Sequence, residues 1–109
     1  MTTTDFAAAT AFYAEVFGWQ LQVEADSDEF RYSTVVFDGT QLIGVMDGSV
    51  IPGLAGSAWT VFWASDDVDA SVQEIVANGG AVVRPAEDTP YGRLAAVTDP
   101  TGAAFNLRG

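Results

Sequence analysis

An α+β fold of two βαβββ modules is predicted by three observations. An internal repeat runs through the chain, each copy opens its helical stretch with a cap, and each helix is followed by three strand-like runs. An offset of 62 residues carries Asp5 onto Asp67 and Gly18 onto Gly80. Each Asp opens a run with helical spacing of apolar residues, and each Gly closes it. Asp suits an N-cap because its carboxylate accepts the free N–H groups of the first turn. Gly suits the left-handed residue that ends a helix.

Along the first copy, Phe6, Ala9, Phe12, Tyr13, Val16 and Phe17 keep helical spacing. Trp19–Val23 then reads as a short strand, and Arg31–Phe37 as a second. Asp38-Gly39 is a hairpin turn, and Gln41–Met46 is the closing strand. Along the second copy, Val68, Val72, Ile75 and Val76 mark the helix. Ala81–Val83, Arg93–Thr98 and Ala103–Leu107 are the strands, with Asp99-Pro100-Thr101-Gly102 as the turn.

The second copy has an extra β-rich run at its front, Ala58–Ala64. Its counterpart in the first copy falls at or before Met1, so the first module lacks most of its first strand. Thr2–Thr4 can supply only a stub. Gly48–Gly56, with Pro52 and three glycines, reads as the connection. Residues 1–109 are therefore one domain, with module one over 1–48, a linker over 49–57 and module two over 58–109.

Composition narrows the chemistry. The chain has no cysteine and no histidine, which removes thiolate nucleophiles, the commonest general base and the commonest transition-metal ligand. The net charge is −11, with Arg31, Arg84, Arg93 and Arg108 as the only basic residues. Such a chain repels phosphate backbones and anionic membranes, so neither nucleic acid nor membrane is an expected partner. No apolar run reaches the roughly 20 residues that span a bilayer, and Met1–Asp5 carries no leader pattern. The cytoplasm is the expected location.

Phe12-Tyr13-Ala14-Glu15-Val16-Phe17-Gly18-Trp19 resembles the FYxxxFGW signature of the vicinal oxygen chelate superfamily, which contains glyoxalases, bleomycin-resistance proteins and extradiol dioxygenases. Asp67-Val68-Asp69-Ala70, Gly79-Gly80-Ala81, Tyr91-Gly92-Arg93 and Asp99–Phe105 resemble the rest of such a module. The likeness covers nearly the whole chain and is nearest to the branch labelled glyoxalase-like or hydroxylase. It implies an open, curved mixed sheet around a cleft, and pairing of small two-module chains. It also implies metal-ligand positions on the first and last strand of each module. In the second module these fall at Thr60, or Trp59 if the alignment slips, and at Asn106. In the first they fall at Gly44 and ahead of Met1. Thr, Trp, Asn and Gly cannot make a Zn, Fe or Ni site, so no metal and no cofactor is expected.

The ligand-binding candidates are thus Thr60, Phe62, Asn106, Gly44 and Trp59; no catalytic residue is identified. Alternation puts Thr60, Phe62 and Ala64 on one face and Trp59, Val61 and Trp63 on the other. The first face would line the cleft and the second would pack as core. Asn106 points away from Phe105 and Leu107, toward a ligand or a structural hydrogen bond, and Arg108 shares its parity. The acidic clusters Glu24–Glu29 and Glu87-Asp88 read as solvated loops, and Asp66–Asp69 as a helix cap. Two functions remain open, with a structural or regulatory module as a third. The preferred one is a metal-independent binding protein for a small organic ligand, planar or cationic, acting as a homodimer. The alternative is a cofactorless isomerase, lyase or hydroxylase-type enzyme using Tyr or carboxylate groups.

Overall fold

A computed structural model describes all residues, Met1–Gly109. The chain falls into two compact units, Met1–Trp59 and Thr60–Gly109. In the first, β1 (Thr2–Thr3), α1 (Phe6–Phe17), β2 (Leu21–Asp26), β3 (Arg31–Phe37) and β4 (Thr40–Asp47) follow in order. In the second, β5 (Phe62–Ala64), α2 (Val68–Ala77), β6 (Ala81–Thr89), β7 (Gly92–Thr98) and β8 (Ala104–Arg108) repeat that order. Each unit carries its own four-stranded mixed sheet, β1-β4-β3-β2 and β5-β8-β7-β6. The opening strand is parallel to the closing one in both, and the other pairs are antiparallel.

The helix starts are the same device twice. Asp5 accepts the Ala8 N–H at 3.0 Å, and Asp67 accepts the Ala70 N–H at 3.0 Å. Two residues upstream, the Thr3 and Ser65 hydroxyls accept the N–H of Asp5 and Asp67. The helix ends differ. Gly18 closes α1 in the left-handed conformation, whereas α2 stops at Asn78 with Gly79 at positive φ. Gly80, expected as the closing residue, serves another purpose: a Cβ there would stand 2.6 Å from the Thr98 carbonyl oxygen. Asp38 and Gly39 both take positive φ, as a two-residue hairpin requires.

Several expectations need correction: Val61 and Trp63, expected in the core, are half or more exposed, and Glu24 and Asp26, expected in a loop, lie in β2. The run Ala58–Ala64 is not one strand, because only Phe62–Ala64 pairs with β8. Ala58 instead exchanges two 3.0 Å backbone hydrogen bonds with Thr2, and Trp59 packs with the aromatic residues of the first unit. The opening strands of the two modules are therefore two and three residues long, and nearly equal. Glu87-Asp88 is likewise not a loop. β6 runs on to Thr89 as an edge strand, which tolerates the missing N–H of Pro85, and two register shifts absorb the irregularity.

The second unit's core lies between α2 and its sheet. Val68, Ala95 and Leu107 are buried there, with Val72, Ile75, Ala86 and Phe105 packed around them. In the first unit Val35 and Val45 are the buried apolar centres, but no residue of α1 is fully buried. No helix is long and apolar enough to cross a membrane.

Candidate functional site: two open sheet faces

Because α2 covers one face of its sheet, strand alternation assigns the rest to the opposite, open face. Leu107 and Ala95 point to the helix; Asn106, Ala96 and Leu94 point away. Phe62 pairs with Asn106 in register, so both side chains share that open face. Trp63 pairs with Leu107 and shares the helix side. Register extends the row to all four strands: Phe62, Asn106, Ala96 and Arg84 lie side by side across β5, β8, β7 and β6.

Phe62 is 47% exposed, so its ring presents a usable apolar surface. The Asn106 side chain is half-buried beside it. Thr60 lies just ahead of β5, exposed and outside the paired strand. Trp59 sits elsewhere. Its indole N–H donates to the Tyr13 hydroxyl at 3.1 Å, and its ring meets Tyr13 and Trp19 edge to face. The structure thus brings Phe62 and Asn106 together in register, leaves Thr60 outside the strand, and puts Trp59 with α1.

Gly44 occupies the Asn106 position of the first sheet. The Tyr32 ring covers it, with ring carbons 2.8 Å from where a Cβ would stand. Tyr32 stacks on Phe30 at 5.9 Å. Beside it the fully buried Thr34 hydroxyl donates to the Glu24 carboxylate at 2.8 Å. A phenol, a hydroxyl and a carboxylate therefore gather on this face, where the second sheet carries Leu94 and Ala96 at the positions of Tyr32 and Thr34, and Ala86, the repeat of Glu24, packs on the helix side instead.

Charge is distributed unevenly. Arg31 at the start of β3 bonds Asp26 and Asp28 and approaches Asp47 at 3.5 Å. Arg93, its repeat equivalent, bonds Asp88 and holds Asp69 of α2 with two hydrogen bonds at 2.8 and 2.9 Å. The Arg93 bonds hold the Asp69 carboxyl below the usual carboxylate range, and Asp69 and Asp88 together push the Arg93 guanidinium up. Hydrogen bonds from Ser49, then Arg31, likewise lower Asp47. Arg84 has no such partner. The sequence reading ended this strand at Val83 and so assigned Arg84 to no face, whereas β6 runs on to Thr89. The register shift between Val82 and Arg84 turns it to the open face.

The metal sites of the implied superfamily do not fit these residues. Thr60, Asn106 and Gly44 offer no imidazole, thiolate or carboxylate, and no group of three or more carboxylates elsewhere is placed to hold a metal ion. A separate shallow groove lies on the helix side of the second unit, lined by Trp63, Ser65, Asp67, Ala70, Glu74 and Phe105. It is on the opposite face from Phe62 and Asn106.

Comparison with known proteins gives consistent relatives. The chain is 36% identical over 111 residues to the Mycobacterium bovis protein named "Putative glyoxylase CFP32", covering 98% of this chain and 42% of that protein. It is 33% identical over 115 residues to the Streptomyces peucetius "Anthracycline biosynthesis protein DnrV", covering 93% of this chain and 42% of that one. The chain thus spans less than half the length of these curated relatives. Among solved structures, methylmalonyl-CoA epimerase from Mycobacterium tuberculosis superposes with a TM-score of 0.66 at 20% identity, over 98% of this chain and 81% of that one. That likeness concerns the fold. The family model of the Glyoxalase/Bleomycin resistance protein/Dioxygenase superfamily matches residues 1–107. With the repeated βαβββ units and a match across nearly every residue, the chain belongs to that superfamily.

Proposed function

We propose that this chain is a metal-independent binding module for a small organic molecule, held on the open face of the second sheet by Phe62 and Asn106. The observation that carries the reading is their register pairing, which sets an exposed ring beside a carboxamide. A ring stacks on a planar ligand, and the amide supplies a directional contact. Thr60 stands at the rim, and no metal donor set is available at the family's ligand positions. Two relatives carry names placing them in anthracycline biosynthesis, and an anthracycline is a planar polycyclic aromatic. Such a ligand suits a stacking surface.

The test is titration of purified protein against a panel of planar metabolites by native mass spectrometry, with elemental analysis of the same sample. Stoichiometric capture without turnover is expected, lost in Phe62→Ala and weakened about tenfold or less in Asn106→Ala, the size of one hydrogen bond. About one Zn, Fe, Ni or Mn per chain, resistant to mild chelation, would overturn the metal-independent reading. Multiple-turnover conversion would favour a cofactorless enzyme instead. The observation behind that second reading is the Glu24–Thr34 hydrogen bond beside Tyr32, which gathers acid–base groups on the first sheet.

The same reading includes a homodimer. Phe12, Phe17, Trp63 and Val83 are each more than half exposed, a large apolar area for a 109-residue chain. Light scattering at micromolar concentration should give twice the 11.5 kDa chain mass. A single-chain mass unchanged on concentrating would rule the dimer out.

A further inference from the structure

Four arginines must serve a chain of net charge −11, and they divide cleanly. Arg31 and Arg93 are each bonded to aspartates. The Arg84 side chain forms no ion pair and no hydrogen bond within the chain, although its backbone pairs with Ala96. The Arg108 side chain donates only to the Tyr91 carbonyl, through Nε at 2.8 Å, and no hydrogen bond is made by its two terminal nitrogens. Both face the open side of the second sheet, since Arg84 pairs with Ala96 and Arg108 neighbours Asn106 by parity. Glu87 is the one carboxylate on that face. It lies in the Arg108 row, separated from it by Leu94, and pairs with neither arginine. An acidic protein has thus left its two uncompensated cations on one surface, beside Phe62 and Asn106.

We infer that this surface selects an organic anion, a planar molecule carrying a carboxylate, enolate or phenolate, with Arg84 as its charge partner. Arg84 stands two strand spacings from Asn106, roughly 10 Å between backbones. Ala96 between them is a low floor, so a long guanidinium side chain reaches over it to a ligand stacked on Phe62. Guanidinium is the suitable cation because its planar fork binds two oxygens at once. The overall negative charge then acts against rather than for the ligand. The local field is set by the two nearest charges, and distant ones are screened beyond about 8 Å at physiological salt. The inference rests on the binding reading above and names its ligand class.

The experiment uses three probes of one shape: 2-naphthoate, neutral 2-naphthalenemethanol and cationic 2-naphthylmethylammonium. Each is titrated into the full chain by calorimetry at low salt, with the Asn106 side-chain amide followed by NMR. Naphthoate should bind about tenfold or more tighter than the alcohol, as a charge-assisted hydrogen bond allows. Arg84→Gln should remove that advantage, bringing naphthoate to about the affinity of the alcohol, and Arg84→Lys should restore part of it. Phe62→Ala should weaken all three probes. If Phe62→Ala weakens every probe but naphthoate binds no better than the alcohol, the anion inference falls and the binding site stands. If no probe moves the Asn106 amide, or Phe62→Ala changes nothing, the binding reading itself falls. If Arg84→Gln instead converts a dimer to a monomer in sedimentation, the guanidinium pairs with a carboxylate of a second copy, and the anion inference is overturned.

Discussion

The two modules are alike where the backbone is made and unlike where a ligand could sit. Both begin their helix with a hydroxyl and an aspartate two residues apart, and both tie an arginine at the start of the third strand to an aspartate at the end of the second. On the open faces, equivalent positions diverge. Gln22, Thr34 and Gly44 form a row in the first sheet, where Arg84, Ala96 and Asn106 form it in the second. The first face holds a phenol and a carboxylate; the second holds an aromatic ring and two cations. Positions that build the fold are constrained by local hydrogen bonding, whereas open-face positions are free to change chemistry without disturbing it.

Core substitution should give the largest effect and show whether the two units share stability. Leu107→Ala removes the buried side chain packed under α2 and should cost about 2–5 kcal/mol. Urea unfolding measures it; a loss below about 1 kcal/mol would mean that the α2 face is not the core of its module.

Next in size is an attempt to give the first face the residue of the second. Gly44→Asn drives a Cβ into the Tyr32 ring, and overpacking of this kind costs about 1–3 kcal/mol. Tyr32→Leu, the residue at the equivalent position of the second module, should relieve it. A double-mutant cycle should therefore show a favourable coupling of about 1 kcal/mol or more. Additive losses would show that Tyr32 is not what excludes a side chain at position 44.

The helix caps should behave as equals. Asp5→Ala and Asp67→Ala each remove one side-chain acceptor from a first-turn N–H, at about 1 kcal/mol apiece. A difference greater than about twofold in urea-derived stability would break the equivalence of the two starts.

The smallest effect is on pH dependence. Asp69, lowered by Arg93, and Asp99, lowered first by the Thr101 hydroxyl and then by backbone N–H groups, both have folded values below their unfolded ones. Their contribution is present above the ordinary carboxylate range near pH 4 and is lost as pH falls through the folded values. Asp69→Asn should flatten the acid limb of the stability profile, seen as a smaller change in melting temperature between pH 5 and pH 3. An unchanged slope would show that the Arg93 pair contributes nothing measurable, as exposed pairs often do.

Much of this architecture is legible in the chain before folding. The 62-residue repeat, the Asp caps, the Gly18 terminus and the Asp38-Gly39 turn are local chemistry, each decided by a few neighbouring residues. Alternation also sets Phe62 apart from Val61 and Trp63, and Asn106 apart from Phe105 and Leu107. Three features are not legible in this way. Trp59 leaves the strand drawn for it because the aromatic residues of α1 and Trp19 bind its ring, a contact 46 residues away in sequence. Glu87 and Asp88 become strand because β7 supplies an edge for them to pair with. Arg84, beyond the strand as drawn from sequence, lies in β6, and a register shift after Val82 sets it opposite Ala96 on the open face. The sequence by itself determined the modules, their order and their caps. Tertiary structure decided which side chains share a face, since register joins residues distant in the chain and a single extra residue sends every later side chain to the other side.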